Sequence, residues 1–226
     1  SEGVEHFWLI DNGSTDDYES EIQQYIDKIT LFKDSTKHSQ SPLYNKYVLP
    51  ELYKTEWVIG CDLDEFMWST KGTISDGLRL FDMGTQGKQP VNVISSFLNR
   101  KGGTYTIEQK CIGKGDAITE LGVHFFELKD GYITVNSKFQ QHDKNFYTEM
   151  SEDLLKDSKI RLAHYQVQSL DWFLNVKSTR GDVAFPTSEN SRNESYFKER
   201  DTNDVFDDSL YQKKKALFIN KEECTS

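Results

Sequence analysis

The sequence predicts an α/β domain in which a mostly parallel central sheet is flanked by helices and joined to a smaller mixed or antiparallel part. Three observations predict it. Through residues 6–62, apolar runs that read as strands alternate with stretches that are apolar at helical spacing. After Asn99 the chain turns to short Thr/Tyr/Ile-rich runs punctuated by glycines. The length of 226 residues suits one domain of this kind with a sizeable core, not two.

Taken in order, residues 6–10 read as a strand, and Tyr18, Ile22, Tyr25, Ile26 and Ile29 recur at helical spacing. Residues 29–32 read as a short strand, 44–53 as a helix and 57–62 as a third strand. A helix over 74–81 and a strand over 91–97 follow. Beyond them, 104–107, 121–128 and 132–135, the last after the turn Lys129-Asp130-Gly131, form a meander or hairpin pattern. Residues 182–208 are polar and acidic, which fits either a lid or a plain surface connection. Residues 210–219 read as a terminal helix capped by Ser209, its Lys213-Lys214-Lys215 run on a solvated face. The first half, about residues 1–99, would then bind a ligand at its strand ends, with 100–181 completing the site and 182–226 a polar loop and helix.

The most informative stretch is Asp62-Leu63-Asp64-Glu65, directly after the apolar run Trp57-Val58-Ile59-Gly60-Cys61. Carboxylates one residue apart share a face of a strand end. In open α/β sheets the crevice beyond the carboxyl ends of the strands is where ligands bind. A hard divalent cation held there by one or two carboxylates keeps its remaining positions for water and substrate phosphates. The alternative is an Asp-rich turn that caps the next helix. A second apolar run ends at Asp11 and continues Asn12-Gly13-Ser14, where Gly13 permits a tight turn and Ser14 can cap a helix starting near Asp16. Such a tetrapeptide is also an ordinary turn, so Asp11 gains weight only beside Asp62.

Together, residues 3–16, residues 57–66, and Leu162-Ala163-His164-Tyr165-Gln166-Val167-Gln168-Ser169 with Phe173, Lys177, Arg180 and Gly181 resemble the nucleotide-sugar glycosyltransferases of the GT-A fold, closest to the family 2-like and family 92 enzymes. The matched motifs run in order over about four fifths of the chain. The resemblance implies a Rossmann-like parallel sheet and transfer of a sugar from a UDP-sugar donor to a glycan or glycoprotein hydroxyl, with inversion. It also implies roles by position: Asp11, Asn12 and Asp62 against the nucleoside, Lys177 and Arg180 against the diphosphate, and Asp62, Asp64 and His164 around Mn2+ or Mg2+. The family has one more strand, with an Asn-Glu pair, ahead of the position of Gly3. Its absence here puts part of the nucleotide pocket in question, and the chain reads as one domain of a larger protein.

The chemistry is coherent on its own terms. Cleaving an anomeric carbon from a nucleoside diphosphate builds negative charge on two phosphates, which a bridging cation stabilises. Carboxylate with imidazole suits manganese, and carboxylate with water suits magnesium. Inversion further needs a base for the acceptor hydroxyl. The candidates are Asp116, Glu120, His124, Asp143 and Asp171, with the resemblance favouring the strands that carry Glu120 and His124. His124 and His164 could equally be packed histidines in apolar runs, and Asp171 a first-turn acid after the cap Ser169.

A net charge of −10 argues against nucleic acid or an anionic membrane as a general partner. No apolar run approaches the ~18 residues of a membrane span. Three cysteines, Cys61, Cys111 and Cys224, give no paired spacing, which favours a reducing, cytoplasmic setting. The Asn-x-Ser sequons at Asn12 and Asn193 read as chance. Two other classes stay open. An aspartate-nucleophile phosphatase shares the Asp-x-Asp after an apolar strand, but Phe66 replaces its expected Thr. A binding domain without chemistry would use the 4 Trp and 11 Tyr as stacking surface.

Overall fold

The computed structural model describes residues 2–37, 39–84, 91–101, 104–135, 141, 148–149, 158–165, 167–180, 192–201 and 208–215. The chain opens with β1 (Phe7–Asp11), then α1 (Tyr18–Ile22), which runs on as a 3₁₀ segment to Lys28. β2 (Ile29–Lys33) follows and pairs with β1 in parallel, Phe7 opposite Ile29 through Asp11 opposite Lys33. The next helix, α2, begins at Gln40–Leu43 and continues through a wider π turn, Tyr44–Val48, into 3₁₀ geometry over Leu49–Lys54. Then come β3 (Trp57–Ile59), β4 (Glu65–Ser69) and α3 (Ile74–Gly84).

The mostly parallel GT-A sheet expected from the sequence is not what this chain builds. The described strands form four separate sheets, and the pairings are mostly antiparallel. Only β1 with β2, and β5 (Val91–Lys101) with β9 (Ile133–Val135), run parallel. The largest sheet is centred on β5 and β6 (Thr104–Lys114), which pair antiparallel from Val93 opposite Ile112 to Lys101 opposite Thr104. β3 joins that sheet antiparallel, Ile59 opposite Ile112, instead of lying beside β1.

The physical reason is loop length. Long strands separated by only two residues meet at little entropic cost, whereas parallel neighbours must be closed through a crossover. The hairpin takes the centre, and the three residues of β3 add to its edge. The alternation of strand and helix was legible; the partner of each strand was not.

β7 (Ile118–Leu121) and β8 (Phe126–Leu128) make a small hairpin, while β10 (Thr148–Glu149) adds to β6. β11 (Ile160–His164) runs antiparallel to β4, placing His164 opposite Glu65. α4 follows as Leu170–Trp172 and then Phe173–Lys177 and Ser178–Arg180, with the Ser169 hydroxyl accepting from Trp172 N at 3.2 Å as the predicted cap. α5 (Glu194–Arg200) lies within the stretch read from sequence as a polar connection. Asn193 caps it by accepting from Tyr196 N, which gives one of the two sequons a structural role. Residues 209–215 are helical (α6).

Both faces of the β3–β6 pair are covered, as the period of two requires. Ile112 packs with Ile74 and Leu78 of α3, Val135 and Ile160, while Cys111 and Val58 pack with Val48 and Leu52 of α2 and with Ile118, Leu121 and Phe126. The approach of α2 is close: a Cβ at Gly115 would meet the carbonyl oxygens of Leu52 and Thr55 at 2.5 Å. Lys213 of α6 is not part of a purely solvated face, because its ammonium donates to Ser69 O at 2.6 Å and Gly72 O at 3.0 Å and pairs with Glu2. No helix among the described residues is long and apolar enough to cross a membrane.

Candidate functional site

The chain leaves β3 at Ile59 and re-enters a strand at Glu65, so the acidic tetrad is the turn between two strands. It is closed by its own groups: Glu65 N donates to Asp62 O at 3.0 Å, and Asp62 N donates to Glu65 Oε2 at 2.8 Å. Leu63, between the two aspartates, is 93 % exposed. The aspartates meet different cations.

Asp64 lies with Lys177 Nζ 2.5 Å and His164 Nε2 3.6 Å from its Oδ2. Tyr165 N donates to Asp64 O at 2.8 Å, which ties the end of β11 to the turn. Lys177 arrives from α4, whose Phe173, one turn earlier, is fully buried and packs on Tyr196 and Phe197 of α5. Burial opposes the charged form of Asp64, but His164 and Lys177 outweigh it and hold the carboxyl well below the usual carboxylate range. Two segments about a hundred residues further along the chain thus converge on one oxygen of the acidic turn.

Asp62 is held from both sides. Gln40 of α2 donates to its Oδ1 at 2.6 Å, and Lys110 of β6 donates to its Oδ2 at 3.3 Å. Lys110 Nζ is also 3.1 Å from Glu65 Oε2 and donates to Val123 O at 3.1 Å. The side chains of Lys110 and Glu65 are each only 1 % exposed. Burial disfavours the ammonium, yet Asp62 and Glu65 outweigh it and hold Lys110 above the usual lysine value. Burial, opposed by Lys110 and helped by Asp62, raises Glu65.

The fit of this cluster to a divalent cation can be judged from its donors. Two ligand atoms each ~2.1 Å from one ion stand roughly 3 to 3.5 Å apart. The 3.6 Å between Asp64 Oδ2 and His164 Nε2 is close to that separation. Among the described residues no group of three or more His, Cys, Asp or Glu side chains is arranged around one ion. Asp64 and His164 would thus supply two protein ligands at most, with the rest from water or phosphate. Lys177 pairs with the same Asp64 oxygen, so a cation held there would have to displace it.

Asp11 and Asn12 are engaged near their own strand ends. Asp11 Oδ1 accepts from Gly13 N at 3.1 Å and Ser14 N at 2.7 Å, bonds that lower its carboxyl, with Gly13 at φ +88° making the turn. Asn12 Nδ2 donates to Asp34 O and Thr36 O. Ser14 is not the predicted cap: the residue before α1 is Asp17, and it makes no side-chain cap bond. Of the base candidates, His124 sits in the 122–125 turn, closed by Gly122 N donating to Phe125 O, beside the Val123 carbonyl that Lys110 grips. Glu120 is exposed on β7, Asp116 is exposed in a 3₁₀ turn, and Asp171 accepts from Asn175. Asp143 and the Arg180 side chain lie outside the described residues.

Sequence reasoning missed Gln40 and Lys110. For Lys110 a partial signal existed: a lysine heads the apolar run Cys111-Ile112, which marks a side chain in need of a partner without naming that partner. Searches against protein-family models, curated proteins and solved structures returned no match for this chain.

Proposed function

We propose that the chain is a metal-dependent glycosyltransferase that moves a sugar from a UDP-sugar to a hydroxyl of a glycan or glycoprotein, with inversion. The reading rests on the site alone and not on the parallel sheet, which this chain does not build. The observation that carries it is the convergence of Asp64, His164 and Lys177 from the turn after β3, the end of β11 and α4. Asp64 and His164 would hold Mn2+ or Mg2+, which supplies charge neutralisation to the diphosphate. Asp62, whose two oxygens already accept from Gln40 and Lys110, would meet the ribose or a water only through its remaining lone pairs.

The chain's own groups divide the rest of the work. Lys177, released from Asp64, faces the leaving diphosphate and stabilises its growing charge. The acceptor oxygen attacks the anomeric carbon, the bond from that carbon to the β-phosphate oxygen breaks, and its electron pair stays on the phosphate. His124, on the turn tied to Asp62 through Lys110, takes the acceptor proton. An aspartyl-phosphate mechanism at Asp62 is less favoured, because both carboxylate oxygens are already engaged.

The test is calorimetric titration of UDP and several UDP-sugars with and without manganese, on the wild type and Asp64→Ala. Loss of a ligand bridging protein and phosphates is expected to weaken manganese-dependent UDP binding at least a hundredfold, about 2.7 kcal/mol. Equal binding by both proteins removes Asp64 from the site. UDP binding without sugar release from any donor and acceptor would leave a binding domain.

A further inference from the structure

We propose that Lys110 is a positioning residue that holds the acidic turn and the 122–125 turn in one register, and so aligns the donor and acceptor sides of the site. An ammonium has three protons and no acceptor. Lys110 finds three acceptors, Asp62 Oδ2, Glu65 Oε2 and Val123 O, at 3.1 to 3.3 Å. Two belong to the turn between β3 and β4, and the third to the turn that carries His124. Lys110 itself stands on β6, the strand that pairs with both β3 and β5. One buried cation therefore ties two connections to the most extensively paired strand.

Stability alone does not account for it. A buried ion pair can commonly be replaced by apolar side chains of similar volume with little loss, so its best-attested value lies in specifying an arrangement. Gln40 completes the arrangement by taking the other oxygen of Asp62, which leaves that carboxylate little freedom to rotate. Glu65 sets the depth of the turn, since its Oε2 accepts from both Lys110 and Asp62 N. A neutral residue at position 110 would leave the Val123 carbonyl and two carboxylates without their shared donor.

The inference rests on the transferase reading only for what the alignment serves; the coupling of the two turns stands apart from it. Lys110→Met alone strands two carboxylates and could simply fail to fold, so the decisive protein is Lys110→Met/Glu65→Gln, which removes one charge of each sign. Amide hydrogen exchange is followed by mass spectrometry in peptides covering 60–66, 121–126 and, as a reference, 49–54. In the folded double variant, exchange is expected to rise at least tenfold in both turns and to stay unchanged in the reference, with manganese-dependent UDP affinity at least tenfold weaker. Lys110→Arg, which keeps a cation beside both carboxylates, should restore part of the protection and of the affinity. Protection unchanged in either turn of the double variant overturns the coupling. Loosened turns with wild-type affinity overturn the alignment role. If the wild type binds no manganese and UDP at all, the transferase reading fails, and the exchange result alone decides whether Lys110 couples the turns.

Discussion

Asp11 and the Asp62–Glu65 turn look alike in the sequence, each an acid at the end of an apolar strand, yet the fold treats them differently. Asp11 spends its carboxylate on Gly13 and Ser14, the amides two and three residues on. Asp62 meets Lys110, 48 residues away, and Asp64 meets Lys177, 113 residues away. An acid satisfied by its own turn shapes the backbone. An acid that gathers cations from distant segments ties those segments together at one point, as structural ion-pair networks and functional sites both do.

The sharpest way to break this contrast is to remove the buried cation without compensation. Lys110→Met leaves Glu65 buried without a cation and Asp62 with Gln40 alone, and a stability loss of about 3 to 5 kcal/mol is expected by urea denaturation. A loss under 1 kcal/mol would place Asp62 and Asp11 in the same local class. Next in size is Lys213→Ala, which severs α6 from Glu2, Ser69 O and Gly72 O. About 2 kcal/mol should be lost, a clasp effect unconnected to UDP affinity.

The pH dependence separates the acids further. Asp64 has a folded pKa below its ordinary 3.8, so its contribution is complete above that value and is lost as pH falls below it toward the folded value. Between pH 7 and 2 the thermal midpoint of Asp64→Asn should decline less steeply than that of the wild type; parallel acid limbs would mean that His164 and Lys177 do not hold the carboxylate. The smallest effect is expected from Asp11→Ala, about 1 kcal/mol, the value of local hydrogen bonds in an exposed turn. A fall in UDP affinity beyond tenfold in that variant would show that the outer face of Asp11 also meets the donor and would erase the contrast.

What was legible in the sequence was local. The period of apolar residues located β1, β2, α2, β3 and α3 to within a few residues, and Ser169 announced its own helix, because these features depend on neighbours along the chain. The tetrad itself was visible as a cluster of acids directly after an apolar run, though not which of its members would be buried. The strand pairings were not visible. β3 presents three residues that could pair parallel or antiparallel, and the choice fell to the long β5–β6 ladder. Nor could the sequence show that His164 and Lys177 would share Asp64, or that a lysine in a strand would be buried between Asp62, Glu65 and Val123. Side-chain type and spacing determine which groups need partners; only the closing of long loops, whose entropy is offset by burial across the whole chain, decides which partners they get.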